Sequence, residues 1–289
     1  MSPAPAHRLL RPATLLIYLL LGFFALLTLL PFVWMICAAV KTKEDFFTSQ
    51  FLPRGPGFLG IAWDHLTLHQ FVRLFRDLPV PRALLNSIFL ASVGSVLATL
   101  FCAMGGYGLS KFKFSGRQAL TTAILGTVVL PGALLLVPRF ETLYHLGLVD
   151  RYLGIFLPAL APAFGLYLFR QAMINSVPAD ILESARIDGC GEIRIFFQIV
   201  LPIVRPMISA YLIISFIALW NDYITPQIML QSPGRQPLSV VIFSLKGLYA
   251  DDYSLMLAGT LVSIAPVMLL FFLLQREFIS GLTSGAVKG

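Results

Sequence analysis

The chain has 289 residues, 57% of them hydrophobic and only 12% charged, whereas soluble domains are about 45–50% apolar and about 25% charged. The apolar excess has to be covered by lipid, and at roughly 20 residues per spanning helix the length allows about six helices and no separate soluble domain. The formal net charge of +7 is scattered among the loops without a basic stripe, which argues against nucleic acid as a partner and for topology and lipid contact.

Apolar segments fall at about 14–40, 84–109, 119–138, 152–174, 203–230 and 255–275. They predict an all-α membrane protein of six transmembrane helices in one transmembrane domain spanning 1–289. The N-terminus has the charge order of a signal peptide. Its apolar run continues to Val40 with no A-x-A site, which predicts a retained first helix.

In the loop that follows, Phe71, Leu74, Phe75 and Leu78 have the i, i+3, i+4, i+7 spacing of an amphipathic helix. That helix lies on lipid or meets a partner; the spacing fits both. His65 and His69 are four apart, but no carboxylate–histidine helix motif surrounds them, so no metal is expected.

Asn86-Ser87 opens the second segment and reads as a helix cap. The same segment carries Gly94-x-x-x-Ala98 and Cys102-x-x-x-Gly106, small residues that let backbones approach inside a bundle. Pro131, Pro138, Pro158, Pro162, Pro226 and Pro266 punctuate the later segments and predict kinks. Cys37, Cys102 and Cys190 fit no metal spacing and read as free thiols.

Trp220-Asn221-Asp222-Tyr223 sits two-thirds along the fifth segment. Asp222 there marks a pathway or gate. Alternatively the four residues end a helix at the outer interface, where Trp and Tyr belong. An even number of spans puts both termini on one side, and Lys and Arg counts favour the inside only slightly.

No nucleophile elbow and no phosphate-binding loop occurs, so any nucleotide hydrolysis belongs to another chain. No set of catalytic groups is recognisable either, which disfavours a membrane-embedded enzyme built on Asp222 with His145 or Glu141. A self-contained secondary transporter or channel is the remaining alternative, though the internal repeats usual for one are not seen.

The stretch 178–202, PADILESARIDGCGEIRIFFQIVLP, is a charged island between two apolar segments. Asp180, Glu183, Arg186 and Asp188 alternate with Ile181, Leu182, Ala185 and Ile187. Gly189 and Gly191 then stop the helix. A second helix, carrying Glu192 and Arg194, runs into Leu201-Pro202. The pattern predicts helix, glycine turn, helix: a knob able to dock a soluble partner.

These residues resemble the cytoplasmic signature of permease subunits of binding-protein-dependent ABC importers: Glu-Ala-Ala, three residues, Gly, and further on Leu-Pro. Here it reads Glu183-Ser184-Ala185, Gly189 and Leu201-Pro202, with Ser184 in the second position. Supporting stretches are Asn86-Ser87, Gly106-Tyr107-Gly108-Leu109-Ser110-Lys111, Pro138 with RFETLYHLGLVD, Trp220-Asn221-Asp222, Gln275-Arg276-Glu277-Phe278 and 281–289.

The resemblance is to the carbohydrate-uptake class, near the smaller membrane subunit of maltose-type systems. It implies a multi-pass protein of the bacterial cytoplasmic (inner) membrane with both termini in the cytoplasm. It also implies a second permease subunit, an ATP-binding subunit dimer that holds ATP and Mg, an extracytoplasmic sugar-binding protein, and no cofactor on this chain. Ile181, Leu182, Glu183, Ser184, Ala185, Arg186, Asp188, Gly189, Leu201 and Pro202 would couple to the ATPase. The apolar side chains would supply contact area, the charges orientation, and Gly189 a turn that a Cβ would obstruct. The tail 280–289 would touch the ATPase as well. Cations are nearly absent from the apolar segments, which favours a neutral sugar over a phosphorylated one.

Overall fold

The structure is a computed structural model that describes residues 12–248 and 252–286. In chain order the helices are α1 (Pro12–Ala39), α2 (Lys43–Thr48), α3 (His69–Arg76), α4 (Val80–Lys111), α5 (Arg117–Val128), α6 (Leu136–His145), α7 (Tyr152–Ala159) and α8 (Ala163–Ser176). They continue with α9 (Ala179–Ile187), α10 (Glu192–Ile203), α11 (Arg205–Asn221), α12 (Ile224–Met229), α13 (Leu238–Leu248) and α14 (Tyr253–Ala286). The only strand-like pairing among the described residues is one isolated bridge, Arg54 with Ile61.

By length and composition α1, α4 and Tyr253–Leu273 of α14 can each cross a membrane. Three bent pairs pass the same test together: α5 with Gly132–His145, α7 with α8, and α10 with α11. The total is six spans if each bent pair counts as one. From Leu15 to Val33, α1 is apolar on all sides and exposed, the surface expected of a helix that faces lipid.

Three of the predicted segments are not single helices. The 152–174 segment breaks between α7 and α8, which meet at 43°. The 119–138 segment turns by 103° beyond α5, because Pro131 cannot continue a helical ladder. The 203–230 segment ends its first helix at Asn221, and Asp222 is extended. The Asp222 carboxylate accepts from Thr225 N–H at 3.2 Å, a local bond that starts a new helix rather than prolonging the old one.

The chain packs as two compact units, Met1–Asp77 with Leu248–Val262, and Leu78–Gly247 with Ser263–Gly289. In the first, the buried Lys41 ammonium donates to the Ser49 carbonyl at 2.7 Å. Burial lowers the pKa of Lys41, and the carbonyl contact satisfies the charge. Arg73 of α3 pairs with the buried Asp252 at 2.6 Å, and Phe46 stacks on Tyr253. The amphipathic pattern buries Leu74 and half-buries Phe71, while Phe75 stays exposed and Leu78 lies past the helix end.

In the second unit α4 packs against α8 and α11. A Cβ on Gly106 would lie 2.7 Å from the Arg170 backbone nitrogen, and one on Gly94 would lie 2.6 Å from the Leu219 side chain. The small-residue stripe is therefore the contact surface of α4, because only missing side chains allow backbones this close.

Candidate functional site

The 178–204 stretch folds as a knob and an arm. Pro178 is extended and precedes α9, so its missing N–H costs the helix nothing. At the other end Gly189 takes a left-handed φ of 80°. Its N–H donates to the Arg186 carbonyl at 3.0 Å and Cys190 N–H to the Ala185 carbonyl at 2.9 Å. This pair of bonds is a Schellman cap, which satisfies the carbonyls left over at the helix end. The space around a Cβ at Gly189 is open. The requirement for glycine thus comes from its backbone angle and not from a neighbour: the turn itself is what a Cβ obstructs.

Leu182 and Ala185 are buried in this chain's own core, together with Ala103, Tyr107, Phe169, Met173, Ile195, Phe196 and Val200. They anchor the knob to α4, α8 and α10 and present no contact area to a partner, contrary to the expectation for these two side chains. The outward apolar residues are Ile181 and Ile187, joined by Ile193 of the arm, with Glu183, Ser184, Arg186 and Asp188 exposed around them. The Ser184 hydroxyl donates back to the Asp180 carbonyl at 2.8 Å, so the extra oxygen is satisfied within the helix.

Glu192, the first residue of the arm, joins three elements. Its carboxylate accepts from Arg186 Nε of α9 at 2.6 Å and from the Tyr107 hydroxyl of α4 at 2.7 Å. The Arg186 side chain is held charged by this bond, which raises its pKa. One further bond binds the knob's base to α4: Lys111 Nζ donates to the Val177 carbonyl at 2.5 Å, at the end of α8. These bonds and the shared core make knob, arm and the C-terminal end of α4 one packed body.

The arm α10 contains a π-helical turn at Phe196–Val200, where Leu201 N–H reaches back to the Phe196 carbonyl. It ends at Val204, and α11 leaves at 83°. Pro202 and Pro206 explain the site of the bend: Pro206 has no N–H for the carbonyl of Pro202, and its ring clashes with that carbonyl in a straight helix. Leu201 is half-buried and Pro202 exposed on the elbow.

A second set of polar contacts lies at the N-terminal end of α4. Asn86 and Ser87 are in its second turn and both are buried, so they are not the cap expected of them. Asn86 Nδ2 donates to the carbonyls of Gly234 and Gln236 at 3.0 and 2.9 Å, and Ser87 Oγ accepts from Leu238 N–H at 2.7 Å. Tyr152 donates to Asn86 Oδ1 at 3.1 Å. The same loop is gripped by Asp150, which accepts from Ser232 N–H at 2.9 Å and from its hydroxyl at 2.5 Å, and pairs with Arg235 at 2.7 Å. The bond from the Ser232 hydroxyl, with help from Arg235, holds the Asp150 carboxyl below its usual pKa.

The Trp220–Tyr223 residues do not form one cluster. Trp220 is buried and donates to the Ser263 carbonyl at 3.1 Å. Asn221 is exposed at the end of α11 and Asp222 turns the chain. Tyr223 packs on Phe243, ring centres 4.0 Å apart. His65 and His69 stand on different short helices, and no three His, Cys, Asp or Glu side chains converge as metal ligands among the described residues.

Sequence reasoning missed Tyr107, Asn86, Ser87 and Asp150 as tie points. A tyrosine near the end of a spanning helix, and an Asn-Ser pair one turn inside another, were the available signals. Gln275-Arg276-Glu277-Phe278 continues α14, but its side chains, like the expected tail contact at 280–289, lie outside the described residues.

Comparison with known proteins places this geometry. The family described as binding-protein-dependent transport system inner membrane component matches residues 7–279. The chain is 34% identical over 271 residues to the lactose transport system permease protein LacG of Rhizobium radiobacter, covering 94% of this chain and 95% of that one. It is 36% identical over 204 residues to the arabinooligosaccharides transport system permease protein AraQ of Bacillus subtilis (strain 168), covering 71% and 72% of the two chains. Among solved structures, a chain of a bacterial ABC transporter involved in the import of the acidic polysaccharide alginate superposes with a TM-score of 0.76 at 24% identity, covering 96% of this chain and 100% of that one. At that identity the likeness establishes the fold.

Proposed function

This chain belongs to the family of binding-protein-dependent transport system inner membrane components, and on that premise we propose that it is the permease subunit of an ATP-driven importer whose cargo is a carbohydrate. The observation that carries the reading is the knob: its base is locked into the core of α4 and α8, and its outer face offers isoleucines ringed by charge. An anchored helix with an exposed apolar and charged face suits a soluble partner that pushes on it. The permeases for lactose and arabinooligosaccharides among the relatives support carbohydrate as the substrate class, and the scarcity of cations in the spans favours a neutral one.

In this mechanism an ATP-binding subunit dimer, which holds ATP and Mg, closes and displaces the knob. Ile181 and Ile187 give contact area, and Glu183, Arg186 and Asp188 fix orientation. Leu182 and Ala185 make the knob's motion the motion of its core. Gly189 sets the turn, and Ser184 keeps the surface small. The arm carries the displacement through Leu201-Pro202 to α11, so the pathway between this chain and a second permease alternates in access. Asn221 and Asp222, with Trp220 and Tyr223 as supports, line the exit of α11 on that path.

The chain itself is non-catalytic and binds no cofactor. An extracytoplasmic sugar-binding protein delivers the cargo, and lipid surrounds the spans of a multi-pass inner-membrane protein whose termini are cytoplasmic. The test is a mild-detergent pull-down of the tagged chain from its native membrane, with mass spectrometry and an ATPase assay. A second permease and an ATPase should be recovered with the wild type and lost with Gly189→Asp, which puts a second carboxylate beside Asp188 on the exposed face of the knob. A chain that purifies alone and moves solute in liposomes without ATP would overturn the reading in favour of a self-contained transporter.

A further inference from the structure

The arm is the obvious route from the knob into the membrane, since it runs directly into α11. It is also bent: α10 contains a π-helical turn and meets α11 at 83° across Val204. A helix interrupted in this way transmits a push less faithfully than a straight one. The knob has a second attachment that contains no hinge. Arg186 sits on α9, Glu192 opens α10, and Tyr107 lies one turn before the end of α4. The bonds run Arg186 to Glu192 at 2.6 Å and Tyr107 to Glu192 at 2.7 Å. The Tyr107 ring is packed between Phe112 and Phe196, at 5.3 and 5.6 Å between centres, and is buried. Its hydroxyl is thereby fixed in place, and α4 from this point is an unbroken helix of membrane-spanning length.

We infer that Tyr107 is a positioning residue which, through Glu192 and Arg186, makes α4 a second output of the knob, so that knob and α4 move as one rigid body while the 83° elbow takes up the change of angle to α11. This rests on the proposed coupling role of the knob. It goes beyond it in assigning the displacement to α4, whose far end is tied by Asn86 and Ser87 to the 230–238 loop. The outer loop is then driven by α4 directly. Glu192 suits the task because a carboxylate can accept from a guanidinium and a phenol at once, and charge-assisted bonds hold their geometry better than neutral ones.

The test uses the assembled complex with its second permease and ATPase, in a background with Cys37, Cys102 and Cys190 replaced. Spin labels at Asp180→Cys on the knob and Leu85→Cys on the exposed side of α4 report the distance between them. It is read without nucleotide and after trapping with MgATP and vanadate. In the wild-type background the distance distribution should be the same in both states. With Tyr107→Phe, which keeps the ring packing and removes only the hydroxyl, trapping should shift or broaden it by about 2 Å or more, the scale of a helix shift. Glu192→Gln should do the same, and serves if the phenylalanine variant does not assemble.

A distance that already changes in the wild-type background, or one that stays fixed in both variants, overturns the inference. ATP hydrolysis and vanadate trapping are measured on the same samples. A wild-type complex that neither assembles nor traps refutes the proposed coupling function instead, so the two failures are told apart.

Discussion

At the C-terminal end of α4, Tyr107 and Arg186 meet on the carboxylate of Glu192, side chain to side chain. At its N-terminal end, 21 residues and about 30 Å away by helical rise, Asn86 and Ser87 meet main-chain groups of Gly234, Gln236 and Leu238. Each end also needs a left-handed turn. The knob gives this to Gly189 and leaves the carboxylate on a separate residue. The N-terminal end gives both tasks to Asp150, which has a φ of 58° and accepts from Ser232 and Arg235. Main-chain bonds fix the shape of a loop whatever its side chains are. Side-chain bonds fix the relative orientation of helices and depend on identity. The 230–238 loop is accordingly held as a form, and the knob as a directed linkage.

The harshest way to break the comparison is to separate the two ends. Gly106→Val places a branched side chain against the backbone of Arg170 and the Cβ of Phe169, both 2.7 Å from its Cβ. Overpacking costs about 1–3 kcal/mol where side chains can give way, and the nitrogen here belongs to the main chain. The expected result is loss of the monodisperse peak in fluorescence size-exclusion chromatography.

A milder break acts on the knob alone. Gly189→Val should fold and insert yet lose coupled ATPase activity, because a β-branched residue at φ 80° is a true outlier. Gly189→Asn should keep much of that activity, since asparagine tolerates the left-handed region. Equal loss in the two variants would mean that contact at the surface matters and the backbone angle does not.

At the N-terminal end of α4 Asn86→Ala removes a buried donor from two carbonyls and an acceptor from Tyr152. A loss of about 1–3 kcal/mol is expected, the usual cost of leaving buried polar groups unpaired. It should appear as a lower melting temperature in detergent with the ATPase partner still bound. Asp150→Gly and Asp150→Ala then sharpen the contrast. Both remove the carboxylate, but alanine retains the left-handed strain, so it should be less stable than glycine by about 1 kcal/mol. No difference would show that Asp150 matters only as an acceptor.

The smallest effect is on pH. The carboxyl of Asp150 titrates below its unfolded value because the Ser232 hydroxyl donates to it. Its stabilisation is therefore complete above the unfolded pKa of about 3.9 and is lost as the pH falls through the lower, folded one. Asp150→Asn should flatten the melting-temperature profile in that acid range and leave neutral pH nearly unchanged apart from the lost pairing. An unaltered acid limb would disprove the assignment.

Much of the knob is legible in the sequence, since each part depends on neighbours within a few residues. The charged and apolar alternation makes α9, Gly189 ends it, and Pro202 marks the elbow. The small-residue stripe of α4 is legible for the same reason: a helix with glycines on one face can only be meant for close packing. The features that hydropathy and spacing misassign depend on partners remote in sequence. Ile181 and Leu182 are adjacent and equally apolar, yet one is exposed and the other lies in the core, and only the approach of α4 and α8 decides which. Asn86-Ser87 looks like a cap, but its partners are about 150 residues away. The 203–230 run has the hydropathy of one span, and a single carboxylate bond at Asp222 divides it.

By itself, then, the sequence determined that this protein lives in lipid, that it is helical, and that a charged helix–turn–helix knob lies between two spans. Composition and short-range spacing act on the chain locally and need no partner to be read. Only the tertiary structure decided which face of the knob is free, where the helices bend, and that Glu192 and Asp150 are the points through which its pieces hold together. Those outcomes depend on which distant groups arrive within hydrogen-bonding reach, and hydrophobic patterning carries no information about that.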